Sequence, residues 1–317
     1  MAFRKMLPIA VLAALLFAPA AAQAKYRVGL SEQNASMFDQ PRWQALKLKR
    51  VRYIVPWNWR QSGFDRDAVI HFMNRAHTEG QDVLVTFSSA RGCWTGSRYR
   101  KGRRLCKAPS ARAYRSSFRA FDDLFPWVKT YSVWNEVNHM SQPTYRKPAL
   151  AVRYYDVLRK EAKRRRFRVM AADVLDTSNM RSYLRRFMAR AKGKPRLWGL
   201  HNYQDVNRRT SADTRLMLDM VPGEVWLTET GGLVKFGSGR QFRYNESRAK
   251  ARTKWMFTLA NRYDTRQRGL RSKITRLFVY KWFGEERGAR FDAGLVDPDG
   301  SPRKAFSVFR KNAIRHR

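Results

Sequence analysis

The chain is expected to fold as a single-domain α/β barrel of the (β/α)8, or TIM, type. Three observations predict this. From Tyr26 onward, short apolar runs alternate with amphipathic stretches eight times, with no linker or low-complexity break between them. The length fits: 293 residues follow a leader-like first 24, and such barrels take about 250, roughly 31 per unit. Two of the apolar runs stop at a glutamate, Glu136 and Glu229, which lie 93 residues apart. That is three units, so the pair falls on strands four and seven. The competing architecture is an open doubly wound sheet, but the Gly-x-Gly-x-x-Gly turn that would follow its first strand is missing. Gly237-Ser238-Gly239 is no substitute.

Each unit has its own signal. Tyr26 to Leu30 reads as strand one, followed by an amphipathic stretch around Trp43, Leu46 and Leu48. Val51 to Val55 is strand two, running into Pro56-Trp57-Asn58-Trp59. A helix from Asp65 to Glu79 puts Val69, Phe72, Met73 and Ala76 on one side and closes at Gly80. Asp82 to Phe87 is strand three. The next stretch, Ser88 to Ser110, breaks the rhythm with glycines, both cysteines, Trp94 and many basic residues, so it reads as a long loop. Ser110 to Phe125 is helical, and strand four ends at Glu136. Pro148 to Arg166 sets Ala151, Tyr154, Tyr155, Leu158 and Ala162 against an Arg/Lys face. Strand five is Val169 to Ala172, with a helix from Asn179 to Ala191. Strand six, Leu197 to Leu200, leads into His201-Asn202-Tyr203, and a short helix runs from Ser211 to Met220. Strand seven, Val225 to Thr228, reaches Glu229. A Gly-rich loop and a long helix through Trp255, Met256, Leu259, Ala260 and Tyr263 come next. Strand eight, Leu277 to Tyr280, ends near Trp282, and Lys304 to Asn312 closes the chain.

Composition bounds the rest. Residues 1–24 read as a secretory signal peptide: Arg4 and Lys5, an apolar run from Met6 to Phe17, and the small-x-small pattern Ala22-Gln23-Ala24. The apolar run is short for a membrane span, so the expected product is a secreted or periplasmic barrel spanning 25–317. The formal charge is +40, or +38 without the leader. So large a charge favours polyanions in general, or reflects only a solvated basic surface. Basic residues are spread over every helix rather than gathered into one motif, which argues against a specific nucleic-acid partner. Cys93 and Cys106 are the only cysteines, and in an exported chain an even count favours one disulfide. The five histidines are scattered and no Cys/His spacing suits zinc, so no metal or cofactor is expected. A monomer is expected.

The chemistry-bearing feature is the pair of glutamates. An ionised carboxylate is costly inside a strand buried on both faces, so each belongs at the carboxyl end of its strand, opening onto a cleft. Two carboxyl groups facing one cleft are the minimum for cleaving a glycosidic bond, one as proton donor and the other as nucleophile or base. The donor needs a raised pKa, which a neighbouring carboxylate can supply by repulsion, and the optimum should lie on the acidic side of neutral.

Trp134-Asn135-Glu136 after strand four, His201-Asn202-Tyr203 after strand six and Thr228-Glu229-Thr230-Gly231 after strand seven together resemble the clan A retaining glycoside hydrolases, including the cellulase-like and β-xylosidase-like families. The resemblance spans nearly the whole chain after the leader. It implies Glu136 as general acid/base, Glu229 as nucleophile, Asn135 on the sugar 2-hydroxyl, and Tyr203 holding Glu229 ionised. It also implies Arg52 near the nucleophile, His201 lining the cleft, and Trp282 as a sugar platform. Trp57, Trp59 and Trp94 are further stacking candidates, and Asp173 and Asn138 are further cleft candidates. The implied substrate is a polysaccharide or oligosaccharide, the charge raising the case of an anionic one, and the two carboxyl groups should stand about 5–5.5 Å apart. The other readings are a non-catalytic glycan- or wall-binding barrel and a basic polyanion-binding secreted protein.

Overall fold

The computed structural model describes residues 26–317 apart from 96–97, 101, 104–105 and 239–241; the expected leader lies outside the described residues. Nine parallel strands make one sheet: β1 (Arg27–Ser31), β2 (Arg50–Pro56), β3 (Asp82–Ser88), β4 (Thr130–Ser132), β5 (Arg168–Met170), β6 (Asp173–Leu175), β7 (Leu197–His201), β8 (Gly223–Thr230) and β9 (Ser272–Tyr280). Their order is β5-β4-β3-β2-β1-β9-β8-β7-β6. The two ends of that order, β5 and β6, are halves of one barrel strand separated by Ala171 and Ala172. Ala171 N–H donates to Leu197 O and Gly199 N–H to Ala172 O, which carries the ring across the gap. The result is the (β/α)8 barrel, with the fifth strand in two pieces and the seventh barrel strand as β8.

The helices form the outer layer: α1 (Pro41–Gln44), α2 (Gly63–Thr78), α3 (Ala111–Leu124), α4 (Pro148–Arg165), α5 (Met180–Met188), α6 (Tyr203–Arg208), α7 (Ala212–Met220), α8 (Glu246–Arg262) and α9 (Lys304–Arg315). Local chemistry sets their ends. Side chains of Ser62, Ser110 and Asn245 accept from the backbone N–H groups of Asp65, Ala113 and Arg248, capping α2, α3 and α8. Gly80 takes φ +61° just beyond α2, the left-handed turn that a glycine makes without steric cost. The amphipathic stretch expected around Trp43 shrinks to the four residues of α1, while α6, right after His201, was not foreseen.

Most of the apolar core lies between strands and helices. Inside the barrel a smaller cluster of Leu84, Met170, Leu197, Trp226 and Phe278 fills the lower layer. The guanidinium groups of Arg276 and Arg168 stand 4.0 and 5.2 Å from the Trp226 ring, a favourable use of a ring face by a cation. Because strand side chains alternate, two residues further along each strand come the next inward positions. These are polar: Thr86 above Leu84, and Thr228 above Trp226. The change from apolar plug to polar floor occurs at the carboxyl ends of the strands.

Closure between first and last strands is tied by a buried carboxylate. Glu32, just past β1, accepts on Oε2 from the backbone N–H of Trp282 (3.0 Å) and Phe283 (3.2 Å), and on Oε1 from Gln33 and Asn34. The long loop after β3 carries the Cys93–Cys106 disulfide, as expected.

Candidate active site

The polar floor is organised around Arg52 of β2, which is fully buried. A cation with no solvent needs partners for its whole fork, and it has them. Nη1 donates to Glu229 Oε1 at 2.6 Å and to Ser31 Oγ at 3.1 Å. Nη2 donates to Asn135 Oδ1 at 2.7 Å and Asp173 Oδ2 at 2.9 Å, and Nε to Thr86 Oγ1 at 3.2 Å. Burial alone would lower the Arg52 pKa, but Asp173 and Glu229 carry it above its ordinary value. Five strand ends are thereby brought onto one guanidinium.

Glu229 reaches this floor through an irregularity in β8. Regular alternation would send Thr228 and Glu229 to opposite faces, yet Thr228 Oγ1 donates to Asp173 Oδ1 while Glu229 meets Arg52. The register of β8 shifts between Leu227 and Glu229 against β7, and between Leu227 and Thr230 against β9. A bulge of this kind re-aims a side chain. Tyr203, the first residue of α6, donates its hydroxyl to Glu229 Oε2 at 3.2 Å.

Glu136 sits in a turn after β4 with φ +44°, a region a non-glycine residue occupies at a cost of about 1–3 kcal/mol. The turn is held on both sides, since Asn135 N–H donates to Phe87 O, Val137 N–H to Asp173 O, and His139 N–H to Glu136 O. Glu136 Oε1 lies 3.1 Å from His201 Nδ1, and Oε2 lies 3.4 Å from His139 Nδ1.

His201, fully buried, stands between the acids. Its Nδ1 is also 3.6 Å from Glu229 Oε2, and its Nε2 is 3.2 Å from Asp173 Oδ1. Gly199 makes this possible, because a Cβ there would run into the Asp173 carboxylate. Burial disfavours a charged imidazole, and Arg52 Nη2 comes within 3.4 Å of Nε2. The charges of Glu229 and Asp173 and the hydrogen bonds to Asp173 and Glu136 prevail, raising the His201 pKa to about 10. Asp173 falls in turn to about 2, its burial overcome chiefly by His201 and Arg52. Donor atoms of Glu136, His201 and Glu229 lie within 4.8 Å of one another.

Several sequence expectations need correction. Trp282 offers no face to a sugar: it is fully buried, edge-on to Trp43 and Phe306, with its backbone N–H on Glu32. Tyr280, where β9 ends, is the aromatic residue beside the site. It is electrostatically coupled to Glu229 and packs on Phe291, which also meets Tyr203. Arg52 and His201 are fully buried, with the carboxylates of Glu229, Asp173 and Glu136 as their partners. Repulsion from Glu229 is not what governs Glu136. Burial pushes its carboxyl up, but the hydrogen bond and charge of His201 and the charge of His139 outweigh that and hold the pKa below its ordinary value.

The remaining candidates fall as follows. Asn135, with Oδ1 fixed by Arg52, has an amide nitrogen without a partner among the described residues. Trp57 is half-buried just past β2, Trp59 is core, and the Trp94 side chain lies outside what is described. Asp173 belongs to the charge network, and Asn138 is fully buried, bonded to Leu175, Thr177 and Asn179. His139 was missed, although its place three residues after Glu136 in a tight turn is visible in the sequence.

A parallel barrel with two carboxylates meeting over a buried arginine at the carboxyl ends of its strands defines a glycoside-hydrolase barrel. Residues 109–309, more than half of the chain, match the family described as glycosyl hydrolase catalytic core, and the chain belongs to that family. It is a glycosidase. No curated protein matches it in sequence. Among solved structures it is similar to a GH5_18 protein from Streptomyces cattleya in complex with GlcNAc, at 14% identity over 92% of this chain and 80% of that one, TM-score 0.63. It is also similar to a GH113 β-1,4-mannanase, at 14% identity over 93% and 99%, TM-score 0.52. A third is an exo-β-1,4-mannosidase from Opitutaceae bacterium strain TAV5, at 12% identity over 91% and 59%, TM-score 0.59. At these identities what is shared is the fold.

Proposed function

We propose that the chain hydrolyses β-glycosidic bonds of a polysaccharide or oligosaccharide with retention of configuration, Glu136 acting as acid/base and Glu229 as nucleophile. The observation that carries this reading is the spacing of the glutamates, whose nearest donor atoms are within 4.8 Å. So close an approach suits direct attack by the second carboxylate, for which a carboxyl separation of about 5–5.5 Å is typical. Arg52 and Tyr203 hold Glu229 in place through both of its oxygens. Glu229 attacks the anomeric carbon while a proton from the Glu136–His201 pair passes through Glu136 to the departing oxygen. The pair, now one proton short, then takes a proton through Glu136 from the water that releases the sugar from Glu229, and the cycle closes.

The test is hydrolysis of aryl β-glycosides of several sugars, with the anomer first released followed by proton NMR. Retention in the wild type, with kcat lowered at least a thousandfold in Glu229→Gln, is the expected result. An inverted first product, or turnover that survives Glu229→Gln, would remove the assignment.

Export follows from the leader pattern at residues 1–24, and among the described residues no helix is long and apolar enough to cross a membrane. Expression of the full chain should yield a product beginning at Lys25, read by intact mass. Retention of residues 1–24 on exported protein would count against cleavage.

A further inference from the structure

Beside Glu136, two cavities of about 530 Å³ each open between the turn after β4 and helices α4 and α5. His139, whose Nδ1 is 3.4 Å from Glu136 Oε2, lines the first, and Arg146, Pro148 and Arg186 line both. The two therefore form one groove leading away from the acid. Lys147, Arg153 and Arg190 line its outer part, and no Asp or Glu is among the residues that line either cavity.

The groove is lined by five basic side chains and by no acid. Some arginines outside the groove are ion-paired, as Arg165 is with Asp122 and Asp123 and Arg303 with Asp292 and Asp297. Arg146, Lys147, Arg153 and Arg186 have no acidic partner among the described residues. Arg146 is instead held over the Tyr145 ring at 5.1 Å, its backbone at φ +57°, and all four are exposed. The inner floor is fixed: Asn138 donates to Thr177 and Asn179, and Asn179 returns a bond to the Asn138 carbonyl. Unpaired guanidinium forks over a rigid polar floor are suited to carboxylate, sulfate or phosphate oxygens.

We infer that this groove is the leaving-group side of the binding cleft and that it takes an acidic glycan, one whose sugars bear carboxylate or sulfate groups. The inference rests on the functional reading above, because the side of the cleft next to the acid/base is the side that receives the departing sugar. Arg146 and Arg186 grip the anion nearest the scissile bond, and Lys147, Arg153 and Arg190 meet those further along.

The experiment measures kcat and KM on polymannuronate and on a sulfated galactan, each beside its carboxyl-reduced or desulfated form. The proteins are the wild type, Arg146→Glu with Arg186→Glu, and Arg310→Glu with Lys311→Glu. The last pair makes the same charge change at exposed positions of α9 that line neither cavity. One acidic polymer should be preferred, and the arm that responds identifies its anion. The groove pair should raise KM for it at least tenfold, with the α9 pair within twofold of wild type. Preference for a neutral polymer, or equal losses in both variants, would overturn the groove while leaving the aryl-glycoside result untouched. Should no polymer be cleaved, calorimetric titration of the same polymers decides: loss of binding confined to the groove pair upholds the site, and equal loss removes it.

Discussion

Nδ1 of His201 lies 3.1 Å from Oε1 of Glu136, so the proposed acid shares its proton with an imidazole whose pKa is raised to about 10. Such a pair titrates as a unit. Replacing His201 with Asn removes the partner that holds Glu136 low and also the group that keeps the proton on the pair into the alkaline range. The alkaline limb of kcat/KM should therefore move to lower pH in His201→Asn. A pH–rate profile superimposable on that of the wild type would show that His201 plays no part in storing the proton.

Arg52 links Glu229 and Asp173 through opposite ends of one buried fork. Removing one member of a buried ion network leaves the others uncompensated, at a cost of about 3–5 kcal/mol. Arg52→Met should lose that much in urea unfolding. Arg52→Lys keeps the charge but cannot reach five acceptors at once, so it should be less destabilised and still strongly impaired in kcat. Stability equal to wild type in Arg52→Met would mean that the network contributes nothing net.

The charge network also fixes how stability responds to pH. His201 titrates higher in the folded state than its ordinary 6.5, so its contribution is complete below that pH and is lost as the pH rises through about 10. Asp173 titrates lower than its ordinary 3.8, at about 2, so its contribution is complete above 3.8 and is lost as the pH falls through about 2. Thermal melts should weaken at both extremes. The alkaline weakening should be reduced in His201→Asn, whatever that variant's absolute stability.

Gly199 is small because Asp173 occupies the space a side chain would need. Gly199→Ala should cost about 1–3 kcal/mol, in the manner of other overpacked interiors. It should also lower kcat, since Asp173 orients both Arg52 and His201. A double-mutant cycle with Asp173→Ser tells whether the clash is the cause: Gly199→Ala should cost less in the Asp173→Ser background than in the wild type, and an equal cost would place it elsewhere.

Much of this was legible in the chain. The Pro148 helix start, the Gly80 helix stop and the apolar runs gave most of the helices and strands to within a few residues, because those signals are local. The glutamates stood out because a buried strand that ends in a carboxylate must end at something. What could not be read were effects of packing. Ala171-Ala172 looks like uninterrupted strand, yet there the fifth strand divides into β5 and β6. Tyr280 and Trp282 look equivalent two residues apart, yet the strand stops at the first and the second is drawn into the core against Trp43 and Phe306. The polarity of Glu136 misled for the same reason: His201 is 65 positions away in sequence and in hydrogen-bond contact in space.

The gap at Ala171-Ala172 has a further consequence. A barrel girdled by continuous ladders opens only when the whole girdle does, whereas one with a seam has a preferred place to breathe. Amides of Ala171, Val137 and Gly199 donate across or beside this seam and should exchange with deuterium sooner than those of β2 or β9. Because the Val137 amide is bonded to the Asp173 carbonyl, each opening of the seam also frees the turn that carries Glu136. The wall and the acid loosen together, so any ligand that bridges α4 and α5 should slow exchange at the seam even though it touches no strand.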